Sequence, residues 1–398
     1  MINPTLRAVN YQYAIRNIVG AAEVLERAGR RVTYLNIGDP QAFGFRPPPH
    51  IVEPVQKALR DKFTGYAHSR GLLEARTSIA DYATKLQAPT QPEDVIVTSG
   101  ASEGADLVLT ALLNEGDEVL LPAPGYPLYP AILGKLGARP HYYALEEKNN
   151  WQPTVARLAA GVNDRTKAIV LINPNNPTGA VIPDDTTLEI LKLASEHQLL
   201  VIADEVYREL CFIKSPASAS VFAEKMGLPL VTLESLSKTH LIPGWRVGWM
   251  RFTHAEKMSE LIRAVNQLAS GRLCSPTPTQ YAIKPALDGD RSCIVEFVDQ
   301  IRLRRDCAVS QIQAIDGLSC LTPEAAFYLM VKVEELQGRT DEQFVLDMLE
   351  ATGVLVVHGS GFGSRPSEGY FRMVCLANEE TLEDAGRSIK QFLSTRNS

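Results

Sequence analysis

Cysteine is scarce: six among 398 residues, at positions 211, 274, 293, 307, 320 and 375. No Cys-x-x-Cys and no Cys/His group at metal-ligand spacing occurs. That excludes a zinc ribbon or a disulfide scaffold and leaves free thiols in a reducing compartment as the expectation, with no metal site. Long apolar runs are missing too. None reaches the ~18 residues of a membrane-spanning helix, and the opening MINPTLRAVNYQYAIRNIVG has no apolar core of signal-peptide length. A cytoplasmic protein with no membrane partner is expected. No block of basic charge is present and the net charge is −6, so no nucleic-acid partner is expected either, and any anion must be recognised locally. Repeats and low-complexity segments are absent. What remains is an ordinary globular composition, 45% apolar and 22% charged, in a chain long enough for two domains.

The order of the apolar runs gives the fold class. Val95-Ile-Val-Thr, Glu118-Val-Leu-Leu, Ala168-Ile-Val-Leu-Ile, Leu199-Leu-Val-Ile-Ala, Leu230-Val-Thr-Leu and Trp249-Met-Arg-Phe read as short buried strands. Helices are predicted at 105–113 and 184–196 among them. This alternation argues for an α/β fold, a mostly parallel sheet with helices on both faces. Ahead of it, helices are predicted at 19–30, 50–61 and 72–87, with a strand at 32–37. After residue 290 a long charged helix (290–315), short strands at 326–331, 354–357 and 370–375, and a closing helix near 379–394 read as a smaller α+β unit. The expected division is an N-terminal arm belonging partly to the small domain (1–45), a large domain (46–288) and a C-terminal small domain (289–398).

Most polar motifs fall just beyond the C-terminal end of a strand, where open α/β sheets bind ligands. Ser235-Leu-Ser-Lys238 is the central one. A lysine next to a buried strand is costly unless its pKa falls or its nitrogen is bonded to a carbonyl carbon, as in a Schiff base. Arg246 with Ser235 and Ser237 offers a guanidinium fork and two hydroxyls, which suits a phosphate. The combination points to pyridoxal phosphate on Lys238. Ser99-Gly-Ala-Ser-Glu-Gly104 reads as an anion cradle at a helix start; it lacks G-x-G-x-x-G and Gly-Lys-Ser/Thr, so dinucleotide and P-loop readings are disfavoured. Asp204, three residues before Tyr207, could pair with a protonated pyridine nitrogen while the phenol meets the ring hydroxyl. Asn176, in Asn173-Pro-Asn-Asn-Pro-Thr-Gly179, could serve the ring hydroxyl and a substrate carboxylate. Tyr126 offers a stacking face, Tyr66 a hydroxyl for a phosphate, and Arg372 a guanidinium among apolar residues that needs an anion. Each also has an ordinary reading, as a helix cap, a turn, core packing or a structural ion pair.

Taken together, Ser235–Lys238 with Arg246, Asp204-Glu-Val-Tyr207, Asn173–Gly179, Pro124-Gly-Tyr-Pro127 and Arg372 resemble the class I aminotransferases of pyridoxal-phosphate fold type I, in the family's order and over nearly the whole chain. The resemblance implies a seven-stranded sheet, a small domain built from both termini, and a homodimer with the site at the interface. It implies Lys238 as the Schiff-base lysine, and Gly100, Ala101, Ser102, Ser235, Ser237 and Arg246 around the phosphate. Tyr66 would reach the partner subunit's phosphate. Tyr126 would stack, Asp204 hold the ring nitrogen, and Tyr207 and Asn176 the ring hydroxyl. Gly38, Asn176 and Arg372 would bind the amino acid. Cis peptide bonds are implied at Ala123-Pro124 and Asn176-Pro177.

Within the family, Tyr13-Ala-Ile-Arg16, Leu35–Pro40, Arg272-Leu-Cys274 and Val357–Gly363 are most similar to prokaryotic alanine aminotransferases. The implied reaction is alanine plus 2-oxoglutarate to pyruvate plus glutamate, by a ping-pong mechanism. Arg16, with Tyr13 beside it, is the candidate for the distal carboxylate of glutamate. Aspartate, aromatic or broad specificity, or a β-lyase, would use the same lysine. Ser235-x-x-Lys238 also fits the S-x-x-K of penicillin-binding acyl-transferases, but the accompanying S-D-N and K-T-G are missing.

Overall fold

Runs of Val, Ile and Leu without an alternating polar face suit strands covered on both sides. The structure, a computed structural model, describes residues 2–5, 8, 15 and 18–396. After the short strand β1 (Thr33–Tyr34) come β2 (Val95–Ser99), β3 (Glu118–Ala123), β4 (Arg139–Ala144), β5 (Thr166–Ile172), β6 (Leu200–Asp204), β7 (Leu230–Ser235) and β8 (Val247–Thr253). Among the described residues β2 to β8 form a seven-stranded sheet in the order β2-β8-β7-β6-β5-β3-β4. β8 runs antiparallel to both neighbours, β2 and β7; the other pairs are parallel.

Helices cover both faces. On one, Ala101–Leu112, Leu128–Leu136 and Ser259–Gly271 bury Ile96, Val170, Val231, Leu233 and Met250. On the other, Asp184–Glu196 and Ala219–Met226 cover Ile169, Leu171, Val201 and Ala203, while Leu73–Lys85 and Ile283–Asp288 cover Val95, Val97 and Trp249. Each fully buried aliphatic side chain contributes about 1.5–3 kcal/mol. With its hydrophobic sides occupied, the sheet leaves its strand ends free to carry polar residues.

Four later strands, β9 (Leu318–Cys320), β10 (Tyr328–Val333), β12 (Val357–His358) and β13 (Tyr370–Val374), form an antiparallel sheet in the order β12-β13-β10-β9. Between them in sequence, β11 (Val354–Leu355) pairs in parallel with β1. Helices Ser292–Gln313, Asp341–Thr352 and Glu379–Arg396 supply Ala308, Phe344 and Leu382 to a core that also takes Ile18, Ala22 and Leu35 from the N-terminal side.

Several expected elements shift. The strand at 32–37 shrinks to Thr33–Tyr34 because its partner β11 is equally short, and the chain then turns into a 3-10 segment at Pro40–Phe43. The run 354–357 divides, β11 pairing with β1 and β12 with β13. The helix at 105–113 starts four residues earlier, at Ala101, because Gly100 adopts φ 77° and lets the chain turn straight off β2. β4 has no counterpart in the sequence reading. It is polar and contains Pro140, both of which an edge strand tolerates. Ala123-Pro124 and Asn176-Pro177 are cis, and so is Asn173-Pro174.

Candidate active site

β6 and β7 both end at a cavity with about 640 Å³ of empty space. Its lining brings together Ala101, Ser102, Tyr126, Asn176, Asp204, Tyr207, Ser235, Ser237, Lys238 and Arg246. Asp204 is the last residue of β6 and Ser235 the last of β7. Ser235 then caps the short helix Leu236–Thr239, its Oγ accepting from the Ser237 N–H at 3.0 Å and donating to the Val247 carbonyl at 2.8 Å. That cap fixes where the next turn projects Lys238.

The Lys238 amine donates to the Gly38 carbonyl at 2.6 Å. Burial pulls its pKa down to about 8; Asp39 opposes this fall, while Arg372 and Arg246 add to it. Asp204 is pushed the other way, up to about 6, by burial. The Tyr129 hydroxyl, donating to Asp204 Oδ2 at 2.8 Å, and the Val206 N–H partly offset that rise. Tyr207 is raised well above the usual phenol range by burial, and its hydroxyl lies 2.7 Å from that of Tyr328. The site thus holds an amine that is neutral above about pH 8 and a carboxylate with no cation bonded to it among the described residues, a pairing that favours a cationic ligand next to Asp204.

The helix start expected to cradle an anion is tightly built. Gly100 is its N-cap, and Arg246 reaches across to donate to the Ser99 carbonyl at 3.0 Å. A Cβ on Gly100 would run into the Arg246 guanidinium, and one on Gly248 would lie 2.5 Å from the Ala101 nitrogen. The close approach of β8, Arg246 and the helix N-terminus therefore needs both glycines.

Gly38 and Arg372 adjoin this group without lining the cavity. Arg372 is 1% exposed and donates to Asn176 Oδ1 at 2.9 Å and to the Asn36 carbonyl at 2.5 Å. Tyr66 is 82% exposed and is not part of the cavity wall. Tyr13 and Arg16 lie outside the described residues.

Four residues escape the sequence reading. Tyr129 bonds Asp204, and Tyr328 bonds Tyr207 while its ring lies 4.4 Å from the Arg372 guanidinium carbon. Phe362 covers Arg372 at 4.6 Å. Asn36 is fully buried, and neither atom of its side-chain amide is paired among the described residues. Tyr129 follows the Pro-Gly-Tyr-Pro turn closely enough to have been a candidate. Asn36 and Phe362 fall inside stretches that carry only the family resemblance, and Tyr328 sits in an apolar strand with no local signal.

The sequence profile of the aminotransferase class I and II family matches residues 30–389. The chain belongs to this family. It is 38% identical to the glutamate-pyruvate aminotransferase AlaA of Haemophilus influenzae, over 93% of this chain and 92% of that protein. With an alanine aminotransferase of Mycobacterium tuberculosis it shares 37% identity, over 96% of this chain and 90% of that one. The solved alanine aminotransferase of Pyrococcus furiosus superposes with a TM-score of 0.95 at 38% identity, covering 99% of this chain and all of that one. As an aminotransferase, the chain has the fold that the sequence implied.

Proposed function

We propose that this aminotransferase uses pyridoxal phosphate to move an amino group between L-alanine and 2-oxoglutarate, forming pyruvate and glutamate. The observation that carries this reading is the meeting of the Lys238 amine and the buried Asp204 carboxylate in one cavity, beside an anion cradle. The donor set fits the cofactor at each end. Gly100, Ala101, Ser102, Ser235, Ser237 and Arg246 would hold the phosphate, Tyr126 would cover the ring, and Tyr207 with Asn176 would meet the ring hydroxyl. Asp204, raised by burial, gains a partner in a protonated ring nitrogen.

When bound, pyridoxal phosphate supplies an electron sink for the carbanion at the substrate Cα. The rest of the chemistry falls to the protein. Asp204 keeps the ring nitrogen cationic. Lys238, neutral above about pH 8, would take the proton from the substrate Cα. Arg372 and Asn176 orient the α-carboxylate, and Gly38 lines the approach to it. We assign the distal carboxylate of glutamate to Arg16 and count Tyr13 among the substrate residues.

A homodimer with Tyr66 reaching the partner's phosphate is part of the proposal. The 82% exposure of Tyr66 supports it, since its ring and hydroxyl are open to a partner. So is a cytoplasmic location, together with the division at residues 45 and 288. The alanine and glutamate preference is supported by the names of the relatives. A panel of amino donors against pyruvate and 2-oxoglutarate tests it. Alanine and glutamate should have the highest kcat/KM; a higher value for aspartate or an aromatic donor would overturn the specificity and leave the family intact.

A further inference from the structure

Asp341 opens the helix Asp341–Thr352 but is not needed to cap it. Thr340 is the N-cap, and its Oγ accepts from the Gln343 N–H at 3.2 Å in a reciprocal capping box. Asp341 is nonetheless 1% exposed, and a buried carboxylate needs donors. It finds most of them nineteen residues away, on Ser360. Asp341 Oδ2 accepts from the Ser360 N–H at 2.5 Å and Oδ1 from the Ser360 hydroxyl at 2.8 Å, with the Glu342 N–H completing the set. Because the Ser360 proton goes to Asp341, His358 Nδ1, at 2.8 Å, must donate to the Ser360 oxygen.

Ser360 belongs to the 3-10 turn Gly359–Phe362, which joins two parts of the site. Phe362 packs on one side of the Arg372 guanidinium, whose carbon also lies 4.4 Å from the Tyr328 ring centre. The Phe362 carbonyl accepts from the Gly125 N–H at 2.8 Å, next to Tyr126. Gly359 is pressed on β13, the strand that carries Arg372: a Cβ there would come within 2.9 Å of the Tyr370 carbonyl oxygen. Movement of the turn would therefore disturb the aromatic packing on the Arg372 guanidinium, whose nitrogens bond Asn176 and Asn36.

We propose that Asp341, acting through Ser360, is a positioning residue that holds Phe362 on Arg372 and so sets the affinity for the substrate α-carboxylate. The inference rests on the reading of Arg372 as the carboxylate-binding residue. A bidentate guanidinium-carboxylate pair depends on the plane of the fork, so a loosened turn weakens binding more than it slows the chemical step.

The test uses the holoenzyme and measures KM and kcat for alanine and 2-oxoglutarate in Asp341→Ala, Ser360→Ala, Thr340→Ala and Arg372→Lys. Asp341→Ala and Ser360→Ala should each raise KM for both substrates by roughly tenfold or more, the effect of losing a charge-assisted hydrogen bond, with kcat within about twofold. Ser360→Ala keeps the test open if Asp341→Ala does not fold. Thr340→Ala loosens the same helix start without touching Ser360 and should lower Tm while leaving KM unchanged. An unchanged KM in folded Ser360→Ala, or an equal KM rise in Thr340→Ala, overturns the inference. Arg372→Lys with unchanged KM would instead overturn the reading beneath it.

Discussion

At the scale of single residues, the proposed chemistry rests on two buried groups displaced from their usual pKa in opposite directions. Lys238 falls to about 8 where a solvated lysine stands at 10.5. Its amine is therefore nucleophilic above about pH 8. Cofactor-free protein should capture added pyridoxal phosphate at a rate that rises with pH around a midpoint near 8, followed by absorbance in stopped flow. A midpoint near 10.5 would mean that the amine is solvated. Asp204 differs in sign: its pKa is raised by burial to about 6, so without a cation beside it the carboxylate keeps its proton only below about that pH. Asp204→Ala should leave a folded protein with kcat reduced by several orders of magnitude, because nothing then keeps the ring nitrogen protonated. Normal turnover in that variant would reduce Asp204 to a structural residue. The sequence displayed both groups, because each stands just after an apolar strand. It could not display Tyr328, whose partner lies 121 residues away and whose local surroundings read as core; Tyr129, 75 residues from Asp204, had only the turn just before it as a signal.

At the scale of elements, the site is made by strand ends and the turns that leave them. The alternation of apolar runs with helices was legible because parallel strands are buried on both faces. Boundaries were less so. The helix after β2 begins inside the small-residue turn, which places Ala101 and Ser102 in its first turn, next to β8. β4 went unread since an edge strand needs no apolar pattern. The contact between β8 and this helix yields a sharp expectation. In Gly248→Ala the new methyl would meet backbone atoms of Gly100 and Ala101, none of which belongs to a flexible side chain. Overpacking of this kind costs about 1–3 kcal/mol. Gly248→Ala should lower cofactor affinity by at least tenfold in a spectroscopic titration, together with a lower Tm. Unchanged affinity would show that the cradle is not where the phosphate binds.

At the scale of the molecule, the seven-stranded sheet carries a buried group of charges behind the site. Arg251 is 1% exposed and donates to Glu234 at 2.6 Å, with the Trp249 indole on the same oxygen at 3.0 Å. Arg208 lies 3.1 Å from Glu205 and 3.9 Å from Glu234. Two of these acids directly follow or precede site residues, Glu205 after Asp204 and Glu234 before Ser235. Their four residues come from three segments, so no sequence pattern could announce them. Arg251→Met leaves Glu234 short of a partner and should destabilise the fold by about 3–5 kcal/mol, while Glu234→Leu with Arg251→Met restores charge balance and should recover most of it. Chemical denaturation of the two variants measures this; a double variant no more stable than the single one would count against a charge-balanced group.

The most direct test of amino transfer through Lys238 is a single-turnover experiment. Protein saturated with pyridoxal phosphate is mixed with excess L-alanine in the absence of any 2-oxo acid, and the pyruvate formed is counted. The expected result is close to one pyruvate per protomer, with no more until 2-oxoglutarate is added, and none from Lys238→Ala. Continuous release of pyruvate without an acceptor, or a full equivalent from Lys238→Ala, would contradict it.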